Sequence, residues 1–244
     1  AMIAIYKKEL NDFFSSLIGY VAIIFYLIIT GFFVWVYPGD NILQNGQASL
    51  HKLFELGPLI LLFLVPAITM KSFADENSNR TLEFLLTKPL SANQILIGKY
   101  LACLSIVAVA ILPTLIYIYS IWELAMPQGN IDMGATITSF IGLILLGAVF
   151  IAIGQFCSLI TENNIVAFLF GLFLSYVFYR GFADLSLLSV FYGTYDHFIA
   201  SIGIHAHYQA IQKGVIESRE IIYFISLIIF FLSASKLLMQ KRFW

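Results

Sequence analysis

Six long runs without charged residues are the feature that most limits what this chain can fold into. Each approaches or exceeds the roughly 20 apolar residues that a helix needs to cross a bilayer core. Of the 244 residues, 60% are hydrophobic and 11% are charged, whereas soluble domains carry about 25% charged residues. The sequence therefore predicts an all-α, multi-pass membrane protein, not a soluble enzyme or a disordered regulator. The uncharged runs cover residues 17–37, 56–70, 100–122, 133–161, 165–179 and 221–235. The predicted spans extend some of them into flanking polar residues and cover 17–37, 56–72, 99–122, 134–161, 164–181 and 220–239.

The basic residues fall unevenly on the two sides of these spans. If the N-terminus is cytoplasmic, nine of the 13 Lys and Arg residues lie in inner segments. Cytoplasmic loops carry the excess of positive charge in membrane proteins, so we predict that both termini are inside. The net charge of −1 provides no basic field, and no nucleic-acid partner is expected.

Residues 2–16 have apolar side chains at helical spacing, with polar side chains between them. Ile3, Tyr6, Leu10 and Phe13 share one face. This pattern predicts an amphipathic helix that lies in the inner membrane interface, in contact with lipid. An ordinary cytosolic segment leading into the first span is the alternative.

The inner segment at residues 75–90 has a polar, turn-prone beginning followed by a short amphipathic stretch. Leu82, Leu85 and Leu86 share one helical face, and Pro89 ends the pattern because proline lacks the amide donor. A short helix held just inside the membrane suits docking to a soluble partner. A solvated hairpin between two spans is the alternative interpretation.

The third span has a recognisable start. Ser91 is followed three residues later by Gln94, which is the spacing of a capping box. We therefore predict that a helix begins just after Ser91 and continues into the span.

The outer segment at residues 181–219 is long and still rather apolar. It is too short to cross the bilayer and return as two full helices. Its apolar side chains would be buried either by partial re-entry into the membrane or by helices lying against the outer ends of the spans.

Small residues recur along the fourth span. Gly147, Gly154 and Ser158 form a stripe that permits close approach of another helix. Packing within one chain and a contact between two copies are both compatible with this stripe.

The sequence has few residues arranged for chemistry. It contains no G-x-x-x-x-G-K-[ST] phosphate loop, so any ATP must be bound by another chain. His197, His205 and His207 do not have a standard zinc spacing, and we expect solvated or interfacial histidines instead of a metal site. The six apolar cores hold no charged residue, which argues against an ion-coupled carrier.

Several motifs together resemble those of ABC-2-type transporter permeases. The most specific is residues 81–90, Thr-Leu-Glu-Phe-Leu-Leu-Thr-Lys-Pro-Leu. Arg80, just before this motif, stands where the family usually has glycine. The whole set resembles more narrowly the permease subunit associated with bacterial gliding motility, and the similarity runs from Tyr6 to Trp244. The supporting motifs are residues 64–70, 129–134, 159–164, 207–208, 213–216, 219–220 and 223–224.

The resemblance implies a fold and a set of partners. It implies one ABC-2 permease domain of the type V-like fold over residues 1–244, in the inner membrane of a bacterium. The chain would be a non-catalytic subunit without a cofactor of its own, and two copies of a cytoplasmic ATPase would bind ATP and Mg²⁺. A second permease copy and an auxiliary membrane protein with a large extracytoplasmic domain would complete the assembly.

The resemblance also implies site residues. Residues 75–90 would be the coupling helix that docks to the ATPase, and the turn between the fourth and fifth spans would provide a second inner contact. The coupling-helix residues are Glu76, Arg80, Thr81, Leu82, Glu83, Leu85 and Leu86, and the second contact is Glu162, Asn163 and Asn164.

Two other functions remain compatible with the sequence. One is a membrane scaffold that transmits ATPase motion to extracytoplasmic proteins without moving a substrate. The other is an ion-coupled carrier, whose activity would survive without any ATPase.

Overall fold

The computed structural model describes residues 2–38, 41–46, 48–81, 91–188, 193, 195–215 and 217–241. These residues form helices and connecting turns, with no strand among them. The predicted all-α fold is confirmed. The helices are α1 (Met2–Ser15), α2 (Leu17–Gly31), α3 (Ile42–Asn45), α4 (His51–Thr69), α5 (Lys71–Ser78), α6 (Ala92–Ile111), α7 (Ile116–Leu124), α8 (Met133–Ile160), α9 (Asn164–Tyr176), α10 (Phe182–Ser186), α11 (Asp196–Ile202), α12 (Ile204–Gln212) and α13 (Ser218–Lys241).

Six helical stretches in the described part of the chain are long and apolar enough to cross a membrane, as predicted. Some combine two or more helical segments, because short π or 3₁₀ turns continue the rod instead of ending it. The six stretches are Gly19–Val36, His51–Ser78, Ala92–Leu124, Met133–Ile160, Asn164–Ser186 and Ser218–Lys241.

The second stretch differs most from the predicted bounds. It begins at His51 instead of residue 56, and α5 continues it to Ser78 after a break at Met70. Polar residues at both ends of the apolar run thus still form helix. Hydropathy marks the part of a helix that lipid can surround, whereas backbone hydrogen bonds continue beyond that part.

The capping box at the start of α6 is confirmed. The Ser91 side chain accepts a hydrogen bond from the Gln94 amide, and the Gln94 side chain accepts one from the Ser91 amide. Two amides at the helix start that lack intrahelical partners are satisfied in this way.

Helix α8 forms the centre of the bundle. Within its most apolar stretch, 78% of the residues are buried, compared with 22% in the first span, Gly19–Val36, and 17% in α13. It packs against α4, α6, α9 and α13. Its buried side chains, including Leu146, Val149, Phe150 and Ile153, form the middle of the hydrophobic core.

The two ends of the bundle are distinct. We call the end formed by α1, α5, the turn at residues 161–163 and the C-terminal part of α13 the N-terminal face. There a small apolar cluster joins both ends of the chain; its members are Ile5, Phe73, Ile95, Leu96, Leu159 and Met239. The other end, formed by residues 41–50, residues 125–132 and α10 to α12, is the opposite face.

Helix α1 is separate from the first span. The chain turns at Ser16, whose side chain accepts a hydrogen bond from the Gly19 amide and begins α2. Helix α1 then lies along the start of α6, where the Tyr6 and Ser105 hydroxyls are 3.0 Å apart. The amphipathic segment predicted at residues 2–16 is therefore a helix packed on the bundle.

The apolar segment at residues 181–219 forms α10 to α12 in its described parts. Helix α12 packs against α8 and buries Ile204, Tyr208 and Ile211. The Tyr208 hydroxyl and the Gln212 amide each donate to the Phe54 carbonyl, both at 3.0 Å. These contacts bury the apolar face of α12 against the ends of the spans at the opposite face, whereas Leu187 and Phe198 of the same segment are exposed.

Candidate functional site

A buried lysine joins three elements at the N-terminal face. Lys99 of α6 is 2% exposed. Its ammonium donates to Glu9 of α1 at 2.9 Å, to Glu76 of α5 at 2.9 Å and to the Ser72 carbonyl at 2.6 Å. A lysine ammonium has three N–H donors, so all of them are used. We call Glu9, Ser72, Glu76 and Lys99 the lysine cluster.

The position of Lys99 explains why the cluster has this composition. It lies two turns into a helix that faces apolar neighbours, where an unpaired ammonium would be very costly. Two carboxylates and a carbonyl replace its hydration, and the Phe73 ring centroid lies 5.0 Å from its nitrogen. The cluster thereby fixes α1 and α5 relative to α6.

A serine from the central helix fixes the start of α5. The Ser158 hydroxyl accepts from the amides of Phe73 and Ala74, both at 3.0 Å, and donates to the Met70 carbonyl at 2.9 Å. Amides in the first turn of a helix have no intrahelical acceptor. Ser158 of α8 therefore acts as an N-terminal cap for α5.

The far end of α5 is fixed to the turn between α8 and α9. The side-chain amide of Asn77 donates to the backbone carbonyls of Leu159 and Thr161, both at 3.2 Å. These carbonyls end α8 and would otherwise lack donors. Asn164 also donates to Asp75, so the turn at residues 161–163 and α5 form one polar layer.

The structure brings part of the predicted coupling residues together. Glu76 belongs to the lysine cluster, and Thr81 donates to the Glu76 carbonyl at 3.4 Å. Arg80 is exposed and has φ of 55°, the left-handed conformation that favours glycine. The remaining predicted contacts Leu82, Glu83, Leu85 and Leu86 lie outside the described residues.

The predicted second contact lies next to α5. Asn163 caps α9 by accepting from the Ile165 amide at 2.9 Å, and Glu162 is exposed. Asn164 contacts Asp75, as described above. The two inner segments predicted from the sequence are therefore neighbours in the fold, while their contacts with another protein remain a prediction.

The small-residue stripe of α8 packs inside the chain. A Cβ added to Gly154 would lie 2.1 Å from the Thr69 hydroxyl of α4, so only glycine permits this approach. Gly147 faces Val107 of α6 in the same way. Ser158 of α8 contacts α5, so each member of the stripe has a partner within the chain.

At the opposite face, a buried pair joins α12 to α13. One ring nitrogen of His207 contacts the Glu220 carboxylate, and the other lies 2.8 Å from the Ser201 carbonyl. Both ring nitrogens thus have an oxygen partner, one from α13 and one from the end of α11. The Tyr223 ring stacks on the His207 ring with centroids 3.7 Å apart.

The other histidines considered for metal binding lie apart from this pair in their contacts. The His205 ring packs edge-on against Tyr179, and burial together with nearby Arg180 lowers the pKa of His205. His197 is exposed on α11. The structure thus gives His207 and His205 separate packing roles at this face.

The sequence reasoning missed Glu9, Ser72 and Lys99 as site residues. The sequence marked Lys99 as one of the inner basic residues, without a partner. A usable signal was present, because a lysine next to a long apolar run needs a counter-charge. Helix α1 supplies Glu9 from about 90 residues earlier in the chain, and periodicity gives no indication of such a distant partner.

The fold and the site define a class: a multi-pass α-helical membrane protein with a short polar helix fixed to the ends of its spans. The sequence model of the ABC-2 family transporter protein matches residues 3–238, nearly the whole chain. The chain therefore belongs to the ABC-2 transporter family, whose members are typically non-catalytic membrane subunits that work with an ATPase. A comparison with curated proteins found no match.

Proposed function

We propose that the chain is the permease subunit of an ATP-driven transporter, and that a separate ATPase docks at the N-terminal face. The observation that carries the proposal is the anchoring of α5. The Ser158, Asn77 and Lys99 contacts tie this short helix to α8, to the turn after α8, and to α6. A force on the segment that follows α5 would reach these elements through side chains already in contact.

The segment after α5 supplies the docking surface in this proposal. Residues 75–90 act as the coupling helix, with Glu76, Arg80 and Glu83 as polar contacts and the three leucines as the apolar face. Asn163 and Glu162 provide the second contact. Burial of apolar side chains would provide most of the affinity, and the charged residues would favour the correct partner.

The proposed assembly follows the family resemblance. Both termini are cytoplasmic in a bacterial inner membrane, and two ATPase copies bind ATP and Mg²⁺. A second permease copy and an auxiliary protein with a large extracytoplasmic domain complete the complex, which serves gliding motility. The excess of basic residues on the N-terminal face supports this orientation.

Co-purification tests the docking. The tagged chain, extracted from its native membrane in mild detergent, should retain a chain with a phosphate-binding loop and measurable ATPase activity. Replacing Leu82, Leu85 and Leu86 together by Asp should remove that chain and its activity, because three charges replace the apolar contact. Asp184→Asn, at the opposite face, is the matched control and should leave both unchanged.

The test has a clear contrary outcome. If the triple variant is present in the membrane in normal amount and retains the ATPase as wild type does, residues 75–90 are not the docking segment. If no ATPase is retained by the wild-type chain under any mild extraction, the permease proposal itself is wrong.

A further inference from the structure

A cavity beside the lysine cluster is unused by the proposed coupling. It has a volume of about 320 Å³ and lies between α1, α5, α6 and the end of α4. This is within the range of about 300–1,000 Å³ that is typical of small-molecule sites. The cavity opens among the elements that form the N-terminal face.

The lining has two zones of different chemistry. One zone is apolar and includes Phe13, Ile68, Ala102 and Ile106, which belong to or adjoin the spans. The other zone is charged and is formed by α1, α5 and Lys99. A lining of this kind matches an amphiphile better than a wholly polar solute.

The charged zone presents both signs once the internal pairs are taken into account. The two carboxylates that pair with Lys99 exceed its charge by one. Lys8, Lys71, Asp12 and Asp75 also line the cavity. Lys8 pairs with Asp12 and also lies near Glu9 and Glu76, whereas Lys71 has no carboxylate partner among the described residues. The lining thus offers an excess of carboxylate for an ammonium and a cationic group for a phosphate, which together suit a zwitterion.

Two buried acceptors in the lining point to a hydrogen-bond donor. The Ser72 hydroxyl and the Glu76 Oε2 atom have no hydrogen-bond partner among the residues that the structure describes. Ser72 is 6% exposed, and it lines the cavity together with Glu76. A buried carboxylate oxygen without a donor is costly, and a primary ammonium supplies three N–H donors.

We propose that this cavity binds the headgroup of an aminophospholipid from the leaflet at the N-terminal face. The ammonium donates to Glu76 Oε2 and to the Ser72 hydroxyl, and Lys8 and Lys71 contact the phosphate. The glycerol and the first part of an acyl chain lie against Phe13 and the apolar zone. The proposal goes beyond ATPase coupling and does not depend on it.

Lipid binding to the delipidated, full-length chain in detergent tests this assignment. Native mass spectrometry would count bound dioleoyl phosphatidylethanolamine, phosphatidylcholine and phosphatidylglycerol, which differ only in the headgroup. We expect phosphatidylethanolamine to bind at least about tenfold more tightly, because a trimethylated ammonium has no N–H donor and glycerol has no charge. Equal retention of the three lipids would overturn the proposal.

A soluble competitor distinguishes a lipid from a free amine. O-phosphoethanolamine carries the same charged groups without acyl chains. If the lipid is the ligand, millimolar competitor should displace little bound phosphatidylethanolamine. Full displacement by equimolar competitor would show that the site takes a soluble phosphoamine, and the lipid assignment would be wrong.

Two variants place the bound lipid in this cavity. Ser72→Ala, which removes a contact to the ammonium, and Lys71→Met, which removes one to the phosphate, should each weaken phosphatidylethanolamine binding by about threefold to tenfold, as expected for loss of one hydrogen bond. Ser120→Ala on α7, whose hydroxyl bonds only within its own helix, is the control and should have no effect. Unchanged binding in both cavity variants would locate the lipid elsewhere.

Glu76→Gln is the more direct change but also weakens the pairing of Lys99. Its result counts only if the variant elutes as wild type does in size-exclusion chromatography. Ser72→Ala avoids this problem, because the hydroxyl makes no hydrogen bond to the described part of the protein. The proposal is therefore testable even if Glu76→Gln does not fold.

Discussion

Each end of the helical bundle has one buried cluster of titratable side chains, but only the cluster at the opposite face has a partner for each polar atom in the described structure. At the opposite face, His207, Glu220 and the Ser201 carbonyl match each other as donors and acceptors, under the ring of Tyr223. At the N-terminal face, Lys99 uses all its donors, yet Glu76 and Ser72 keep acceptors without partners in the described structure.

This difference separates two uses of buried charge. A closed pair stabilises one arrangement of α12 and α13 and leaves no site for another molecule. The lysine cluster also fixes helices, but it borders a cavity and retains hydrogen-bonding capacity. Buried polar groups with unused capacity are costly unless a ligand or a second conformation uses them. Of the two clusters, the lysine cluster is therefore the one where we expect a ligand.

The comparison is tested most severely at Lys99. Lys99→Met leaves Glu9 and Glu76 with only the exposed Lys8 as a nearby counter-charge in the described structure, which we expect to lower the free energy of unfolding by about 3 kcal/mol. Denaturant titration in detergent would measure this loss. Adding Glu76→Gln to Lys99→Met removes one of the two carboxylate charges and should recover part of the lost free energy of unfolding. Unchanged stability of Lys99→Met would show that the cluster does not hold the helices together.

The closed pair should have a smaller effect. Glu220→Ala removes one charged hydrogen-bond partner of His207, at an expected cost of about 1.5–3 kcal/mol in the same titration. Tyr223→Phe keeps the stacked ring and loses only the hydrogen bond to the Ile202 carbonyl, so it should cost about 1 kcal/mol. If Glu220→Ala costs no more than Tyr223→Phe, the pair is not a structural lock.

The anchoring of α5 can be tested with a matched pair of buried serines. Ser158→Ala leaves the amides of Phe73 and Ala74 without an acceptor, and we expect a loss of about 1–3 kcal/mol. Ser235 is also fully buried, but its hydroxyl bonds only to the Phe231 carbonyl of its own helix. Ser235→Ala should therefore cost clearly less. Equal losses would mean that the contact with α5 adds nothing.

The smallest expected effect has the opposite sign. Arg80→Gly should raise the free energy of unfolding by about 1 kcal/mol, because glycine adopts the left-handed conformation without the steric cost of a side chain. Arg80→Ala keeps that cost and is the control. The two variants would behave alike if the conformation at residue 80 were unstrained.

The sequence predicts the fold class well, because the signals involved are local. Six apolar runs each indicate a helix, and the Ser91 and Gln94 side chains are three residues apart, within reach of one helical turn. The bounds were less accurate, as His51 shows. Polar residues can continue a helix that hydropathy alone would end.

The site was harder to predict, because its contacts join distant parts of the chain. Glu9 and Lys99 are 90 residues apart, and Ser158 reaches Phe73 across 85. Helical spacing says which residues share a face but not which faces meet. Arg80 stands where the family usually has glycine, and the structure gives it a left-handed conformation that the sequence did not predict.

The length of α8 has a mechanical consequence. At about 1.5 Å per residue, its 28 residues form a rod of roughly 42 Å. Ser158 forms hydrogen bonds with α5 near one end of the rod, while Tyr208 and Ile211 of α12 pack against Gly142 toward the other end. A straight helix with its hydrogen bonds intact does not shorten. An axial displacement of one end of α8 would therefore move its other end by the same distance.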